Sequence, residues 1–424
     1  MKYQSIKGTR DVLPEEQKYW RYIEEKIGSV TSRFGYQRVE PPIFEETALF
    51  LRGVGETTDI VEKEMYTFID KGKNSLTLRP EYTAGIMRLY LENGLHSLSK
   101  PVKLYSIGPV FRYERPQAGR YRQHTQFNVE ALGEQEPSVD LEVMSVAWLL
   151  YAELGFSGLS FQLNSTGCPN CRPAYVEELK NFYRRHSEAI CDDCKRRLER
   201  NPLRLLDCKV KSCQQISADA PVIHERLCEE CADHFATLRL YLDTLGRPYR
   251  INHRLVRGLD YYTKTVFEVW VQGIGSQNAM CGGGRYDGLI EQLGGQATPG
   301  IGFGSGIERM ILGMREQNIE PPKLPDPFIF VAHMGKAADL RAVELVTWFR
   351  EAGLSALMAF GQRSFKSQMR EANRLAVTYA VIVGEDEITA NHATVKNLAN
   401  GEQQAIPFDQ VVAVLKQACE RQRC

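Results

Sequence analysis

The sequence predicts an α+β protein: an antiparallel sheet with flanking helices, a mostly helical insertion, and a C-terminal α/β domain. Three observations carry that class. Alternating apolar segments joined by polar hairpin loops favour antiparallel pairing in the first 165 residues. Eight of the eleven cysteines crowd into positions 168–231, within a polar stretch of helical pattern. A stiff proline-rich run over 321–327 precedes alternating β and α patterns, which predict a small, mostly parallel sheet. The expected divisions are 1–165, an insertion over 166–248, a return to the first domain over 249–320, a linker over 321–327, and a last domain over 328–424.

Taken in order, Trp20, Ile23, Ile27, Val30 and Phe34 step by three and four, one face of a helix over 14–34. Pro14 suits its first turn and Gly35 its C-cap. Residues 36–43 read as a strand whose Pro41 and Pro42 confine it to an edge or interface, because proline cannot donate to a central ladder. Residues 76–80 and 102–107 alternate like half-buried strands around a helix over 83–92. Residues 111–132 read as a strand, a Gly/Arg-rich loop over 115–122, and a returning strand. Strand signals resume at 249–256 and 266–271. Beyond the linker come strand 328–332, helix 338–352, strand 355–358, helix 365–375 and strand 379–383.

Composition bounds the function. At 424 residues the chain needs two or three domains, and 43% apolar with 25% charged residues is a globular balance. No run approaches the roughly 18 apolar residues of a membrane span. No apolar signal region opens the chain, so a cytoplasmic location is expected. Its 53 basic and 53 acidic residues cancel, which weakens the case for generic nucleic-acid binding. A local basic stripe stays open, because phosphate attraction decays within about 8 Å.

The chemistry concentrates in 257–263 and 279–287, where Arg257, Asp260, Tyr261 and Tyr262 precede Gly282, Gly283, Gly284 and Asp287. A fixed cation, phenols, carboxylates and close-approach glycines are the parts for holding a small zwitterion against a phosphate anhydride. Arg112, on the strand signal at 111, can pair bidentately with phosphate, and Glu114 can accept from an exocyclic amine. An exposed strand salt bridge is the other reading of that pair. At 300–309 a glycine-spaced strand runs into a helix whose first turn carries Glu308 and Arg309. Bare backbone admits a ligand and a helix N-terminus favours anions, although close strand–helix packing would ask for the same glycines.

In this order, after the proline-containing strand, these segments resemble motifs 1, 2 and 3 of the class II aminoacyl-tRNA synthetases. Residues 257–263 and 279–287 resemble the two signature segments of the histidyl-tRNA synthetases, and the resemblance runs from Lys7 to Leu398. It implies a catalytic domain, an anticodon-binding C-terminal domain, and ATP-dependent attachment of L-histidine to tRNA(His) through histidyl-adenylate, with Mg²⁺. It implies a homodimer paired through the Pro42 strand. By resemblance, Arg112 holds the α-phosphate and acyl oxygen, Arg257 neutralises the α-phosphate, and Arg309 clamps the γ-phosphate. Glu81, Thr83 and Gln126 bind the substrate ammonium. Glu130 and Tyr262 bracket the imidazole beside Tyr261. Glu114 and His124 meet adenine, while Gln117 and Arg122 meet the tRNA acceptor end. The rival is a synthetase-like regulatory subunit of ATP phosphoribosyltransferase, which senses histidine without charging tRNA. Arg112, Arg257, Arg309 and a full C-terminal domain oppose it.

Three places depart from the family pattern: Tyr82 stands where glycine is usual, His124 where phenylalanine stacks on adenine, and Asn128–Val129 before Glu130 where a glycine often sits. The Tyr82 ring must point away from the histidine pocket or join its lining. Cys168/Cys171, Cys191/Cys194 and Cys228/Cys231 form three CxxC pairs, with Cys208 and Cys213 between. Two such pairs make a Cys₄ zinc site, and free thiols are the alternative. Lys195, Arg196, Arg197, Arg200 and Arg204 form either a tRNA-facing stripe or a solvated helix face. Arg363, Lys366, Arg370 and Arg374 recur at three- and four-residue spacing, on one helical face.

Overall fold

The computed structural model describes residues 3–55, 58–117, 119–274, 278–324, 326–361 and 363–422. Pro325 of the expected linker and Ala118 of the expected loop lie outside the described residues. The chain forms two compact units, Met1–Pro322 and Lys323–Cys424.

The first unit is built on an eight-stranded sheet. Its order is Gln37–Arg38, Val102–Phe111, Gln123–Leu132, Gly300–Gly306, Ala279–Arg285, Thr263–Val271, Leu159–Ser165, Tyr249–Ile251. The inner pairings are antiparallel. Parallel pairing occurs at the two edges. The proline-bearing segment does sit at an edge, reduced to two paired residues. Past it, the Pro41 carbonyl accepts from buried Arg79 at 2.7 Å, so a side chain supplies what the ladder cannot.

Period-two alternation sorts the central strands onto two faces. Phe127, Val129 and Ala131 enter the main core with Phe267 and Phe303. The helix Gln17–Arg33 covers that core with Trp20, Ile23, Ile27 and Val30, and helix Pro137–Glu153 adds Val143, Val146, Ala147 and Leu150. Each fully buried aliphatic side chain contributes about 1.5–3 kcal/mol. A separate cluster holds Ile86, Met87 and Tyr90 of helix Thr83–Glu92 against Val102, Leu104 and Leu132. Gln126, Asn128 and Glu130 alternate with the main-core residues and are left to form a polar site.

Several elements differ from expectation. The strand signals at 102–107 and 111 belong to one strand, Val102–Phe111, so Arg112 follows the strand rather than riding on it. Ser75–Leu78 lies in a separate three-stranded sheet between Phe44–Glu46 and Tyr66–Ile69. Extended structure in the 249–256 segment stops at Ile251.

Between the paired strands Leu159–Ser165 and Tyr249–Ile251 at one edge of the sheet, the chain makes helices Arg172–Arg184, Asp192–Arg200, Lys211–Ser217 and Glu229–Thr244, the insertion. It has a small core of its own around Tyr175, Leu179, Tyr183, Leu198 and Leu205. Ion pairs tie it to the sheet unit: Arg197–Asp59 at 2.7 Å, Arg204–Asp59 at 3.5 Å and Arg200–Glu62 at 3.2 Å.

The second unit carries a five-stranded sheet, ordered Ala356–Met358, Ile329–His333, Tyr379–Val383, His392–Asn397, Gln403–Pro407. Its first two pairings are parallel and its last two antiparallel, so the sheet is mixed rather than mostly parallel. The short helix Glu385–Thr389 turns the chain, and a hairpin follows instead of a further crossover. Helix Phe365–Arg374 is capped by Ser364 and buries Gln368 and Ala372, leaving Lys366, Arg370 and Arg374 exposed.

Candidate active site

Glycines make the floor of a cleft on the sheet. Gly282 pairs with Gly304 and Gly284 with Gly302, while Gly302 in turn faces Glu130. A methyl at Gly282 would collide with the Arg257 guanidinium, and one at Gly302 with the Glu130 carboxylate. Bare backbone is what lets both side chains lie close across the strands.

Glu81, Thr83, Gln126, Tyr261 and Tyr262 line this cleft, and so do Arg112, His124 and Arg257. The chain therefore gathers acceptors, phenols and cations from segments as far apart as Glu81 and Tyr262 into one place. Glu81 accepts the backbone N–H groups of Thr83 at 2.7 Å and Ala84 at 2.8 Å, capping helix Thr83–Glu92 from within the site. Burial raises its pKa. Gln126 Oε1 is buried and makes no hydrogen bond, an acceptor ready for a ligand donor.

Glu130 lies just behind the lining. It accepts from Thr83 Oγ1 at 2.7 Å, from Asn128 Nδ2 at 2.6 Å and from the Tyr286 hydroxyl. Burial pushes its pKa up to about 7, against the opposing pull of those three donors. Tyr261 lies between its neighbours, its ring centroid 4.7 Å from that of Tyr262, tilted, and 5.7 Å from that of Tyr286, edge to face.

The cations are held from behind. Arg112 Nε donates to the Pro80 carbonyl at 2.8 Å. Arg257 pairs with Glu268; burial lowers its pKa, but Glu268 and Tyr262 more than compensate, so the guanidinium stays charged. His124 is half-buried beside Arg112, and desolvation first and the Arg112 charge second bring its pKa down to about 3, so its ring is neutral. Glu114 stands 3.8 Å from Arg112 and 3.4 Å from Arg120, outside the lining. Arg309, on helix Ile307–Glu316, packs near Gly119, and burial together with like-charged Arg120 lowers its pKa. Arg120 and Arg309 give this corner of the protein two cations, a charge that suits a polyanion. Gln117 bridges to Arg120, and the Arg122 guanidinium lies 3.7 Å from the Tyr113 ring centroid.

Tyr82, expected among the histidine-binding residues, is not in the lining. It is fully buried, with the Arg79 guanidinium 4.3 Å from its ring centroid, in the apolar cluster behind helix Thr83–Glu92. Conversely Asn128 and Tyr286 line the cleft without having been singled out as site residues. The signal for both was present: 126, 128 and 130, like 282, 284 and 286, share one face of a strand or its extension. Arg285 and Asp287 have a different role from the cleft residues. Arg285 is buried against Asp140, which also pairs with His234 at 2.8 Å, joining sheet, helix Pro137–Glu153 and insertion.

The cysteines also gather in a pattern that CxxC spacing leaves open. Cys168 and Cys171 meet Cys228 and Cys231, whereas Cys191 and Cys194 meet Cys208 and Cys213.

An antiparallel sheet with a glycine floor, fixed arginines and buried carboxylate–phenol pairs has the architecture of a class II aminoacyl-tRNA synthetase catalytic unit. A family model described as "Histidyl-tRNA synthetase" matches residues 8–310, and one described as "Anticodon binding domain" matches 328–418. A "Histidine--tRNA ligase" of Dehalococcoides mccartyi is 50% identical over 414 residues, 98% of this chain and 99% of its own. One from Acetivibrio thermocellus is 48% identical over 413 residues, 97% and 99% of the two chains. The crystal structure of apo histidyl-tRNA synthetase from S. aureus superposes with a TM-score of 0.83 at 38% identity, covering 98% of this chain and all of that one. This chain belongs to the histidyl-tRNA synthetase family.

Proposed function

We infer that the chain attaches L-histidine to tRNA(His) in two steps, using ATP as its magnesium complex. Histidine carboxylate attacks the ATP α-phosphorus, pyrophosphate leaves, and the terminal ribose hydroxyl of the tRNA then takes the acyl group and releases AMP. The observation that carries this reading is the convergence, in one cleft, of ammonium acceptors (Glu81, Gln126), phosphate cations (Arg112, Arg257) and phenols beside a buried carboxylate.

Glu81 and Gln126 take the ammonium and leave the carboxylate free to attack. Arg112 and Arg257 neutralise the charge developing on the α-phosphate, an electrostatic contribution of about 3–4 kcal/mol per lost group. Glu130 and Tyr262 satisfy the donor and acceptor nitrogens of a neutral imidazole. A site built this way rejects side chains lacking those groups by roughly 10⁴-fold, since its own polar atoms would be left unpaired. Neutral His124 offers its ring to adenine, Glu114 takes the adenine amine, and Arg309 with Arg120 takes the γ-phosphate. Gln117 and Arg122 face the acceptor end, and the exposed Lys366, Arg370 and Arg374 face the anticodon arm.

The working form is a homodimer paired through the edge at Gln37–Arg38, a reading supported by exposed Ile43, Phe44, Phe68 and Ile69. Among the described residues no helix is long and apolar enough to cross a membrane. A cytoplasmic setting is supported by the ten described cysteines, all free. A histidine-sensing regulatory subunit is not favoured, given the phosphate cations and the anticodon-binding match at 328–418. Pyrophosphate exchange and tRNA charging across the twenty amino acids test the reading: histidine alone should support both, and no histidine-dependent exchange would sink it.

A further inference from the structure

The insertion's eight cysteines form two four-sulfur nests, and within each nest all the sulfur atoms lie within 4.8 Å of one another. In the first, Cys168 Sγ is 3.8 Å from Cys171 Sγ and 3.7 Å from Cys228 Sγ. In the second, Cys191 Sγ is 3.9 Å from Cys208 Sγ. Four thiolates about 2.3 Å from a tetrahedral zinc ion stand about 3.8 Å apart, close to these three separations. Disulfides, with sulfurs at about 2.05 Å, are not formed. Iron–sulfur clusters would spread their four ligands wider than these nests.

The surroundings suit thiolates. Cys171 and Cys228 sit at the N-cap positions of helices Arg172–Arg184 and Glu229–Thr244, and Cys191 caps Asp192–Arg200, so helix dipoles favour negative sulfur. Backbone N–H groups reach the sulfurs, from Asn170 to Cys168 at 3.4 Å and from Cys191 to Cys213 at 3.2 Å. The nests join segments far apart in sequence within a module that has a small apolar core, where a metal contributes most to folding.

We propose that each nest holds one structural zinc ion and that the first ion positions the histidine-reading wall of the cleft. Arg172, next to Cys171, donates to the carbonyls of Tyr262, Thr166 and Gly167. Lys264 Nζ reaches Glu230, between Cys228 and Cys231, at 2.7 Å, and Lys264 N donates to Gly167 O at 2.9 Å. The backbone of residues 262–264 is thus bracketed by the first nest. The second nest anchors the helix whose Arg197 pairs with Asp59, near cleft-lining Ile60. The positioning part rests on the histidine-binding reading; metal content does not, so the two fail separately.

Elemental analysis of the full-length protein, purified without added metal, should give about two zinc per chain. Less than about 0.2 equivalents overturns the proposal, one equivalent overturns one nest, and iron in place of zinc overturns the metal assignment. Cys194→Ser and Cys231→Ser should each bind about one. Should either variant fail to fold, the wild type still decides: a mercurial should release two zinc ions to a chromogenic chelator, and cobalt-grown protein should show the bands of tetrahedral thiolate cobalt. Cys231→Ser should raise the KM for histidine about tenfold with the KM for ATP unchanged, as expected for a displaced binding wall. An equal rise in both constants overturns the positioning role.

Discussion

Gly282→Ala separates the contribution of Arg257 from the stability of the sheet. Gly282 lies mid-strand, opposite Glu268 on one side and Gly304 on the other. A Cβ built there comes closer than 3.0 Å to the three terminal atoms of Arg257, and ordinary contact begins at 3.4 Å. The guanidinium must therefore withdraw by roughly 1 Å, a displacement that costs about 10²-fold in rate when a catalytic group is misplaced. Because the atoms in the way are the far end of a flexible side chain, folding should lose little. A loss of about 1 kcal/mol would shift the Tm by only about 2–4 °C. Histidine-dependent ATP–pyrophosphate exchange should fall about 100-fold in kcat/KM, mostly through kcat, since the charge neutralised by Arg257 develops in the transition state. Activity within threefold of wild type would refute the role assigned to Arg257. A fall in Tm beyond about 10 °C would refute the reasoning differently, by showing that the strand and not the arginine absorbs the methyl.

Three further outcomes are expected. Glu130→Gln replaces a carboxyl that accepts from three donors, so at a pH above 7 the KM for histidine should rise about 10–150-fold (about 1.5–3 kcal/mol) with the KM for ATP little changed; an unchanged histidine KM would contradict the imidazole assignment. Burial raises Glu130 from 4.5 to about 7, so between those values the folded protein holds a proton that the unfolded chain has released. Ligand-free stability should fall with rising pH across that window, and urea denaturation should find a shallower fall in Glu130→Gln; a steeper one would show the sign to be wrong. Replacing Lys366, Arg370 and Arg374 with alanine should reduce the slope of log Kd for tRNA against log salt by about 2–3; an unchanged slope removes that face from the interface.

Much of the fold was legible because periodicity records burial directly. The steps from Trp20 to Val30 match the buried face of helix Gln17–Arg33, and Pro41 and Pro42 placed their segment at an edge. Less legible was whatever depends on which elements meet. Spacing pairs Cys168 with Cys171, but only the approach of the N-terminus of helix Arg172–Arg184 to that of Glu229–Thr244 brings them to Cys228 and Cys231. Cys208 and Cys213 lie outside any CxxC pair, yet complete a nest. Tyr82 directly follows the site residue Glu81, and nothing local says that its ring turns under Arg79. Arg285 is a different case: alternation from Gly282 and Gly284 already puts it on the core face, where Asp140 receives it.

The two halves of the cleft owe their shape to different parts of the chain. Its floor is made by strands Ala279–Arg285 and Gly300–Gly306, whose ladder hydrogen bonds fix Gly282 and Gly302 within the central sheet. Its histidine-reading wall is not. Residues 252–262 belong to no strand, and Tyr262 O is held by Arg172 and Thr166 at the threshold of the insertion. A backbone segment without ladder partners is as rigid as the contacts that bracket it. Amino-acid recognition should therefore respond to changes in the insertion more than the phosphate side, where Glu268 of strand Thr263–Val271 holds Arg257 and the Pro80 carbonyl holds Arg112. That asymmetry is why damage at the first cysteine nest is expected in the histidine KM, and damage at Gly282 in kcat.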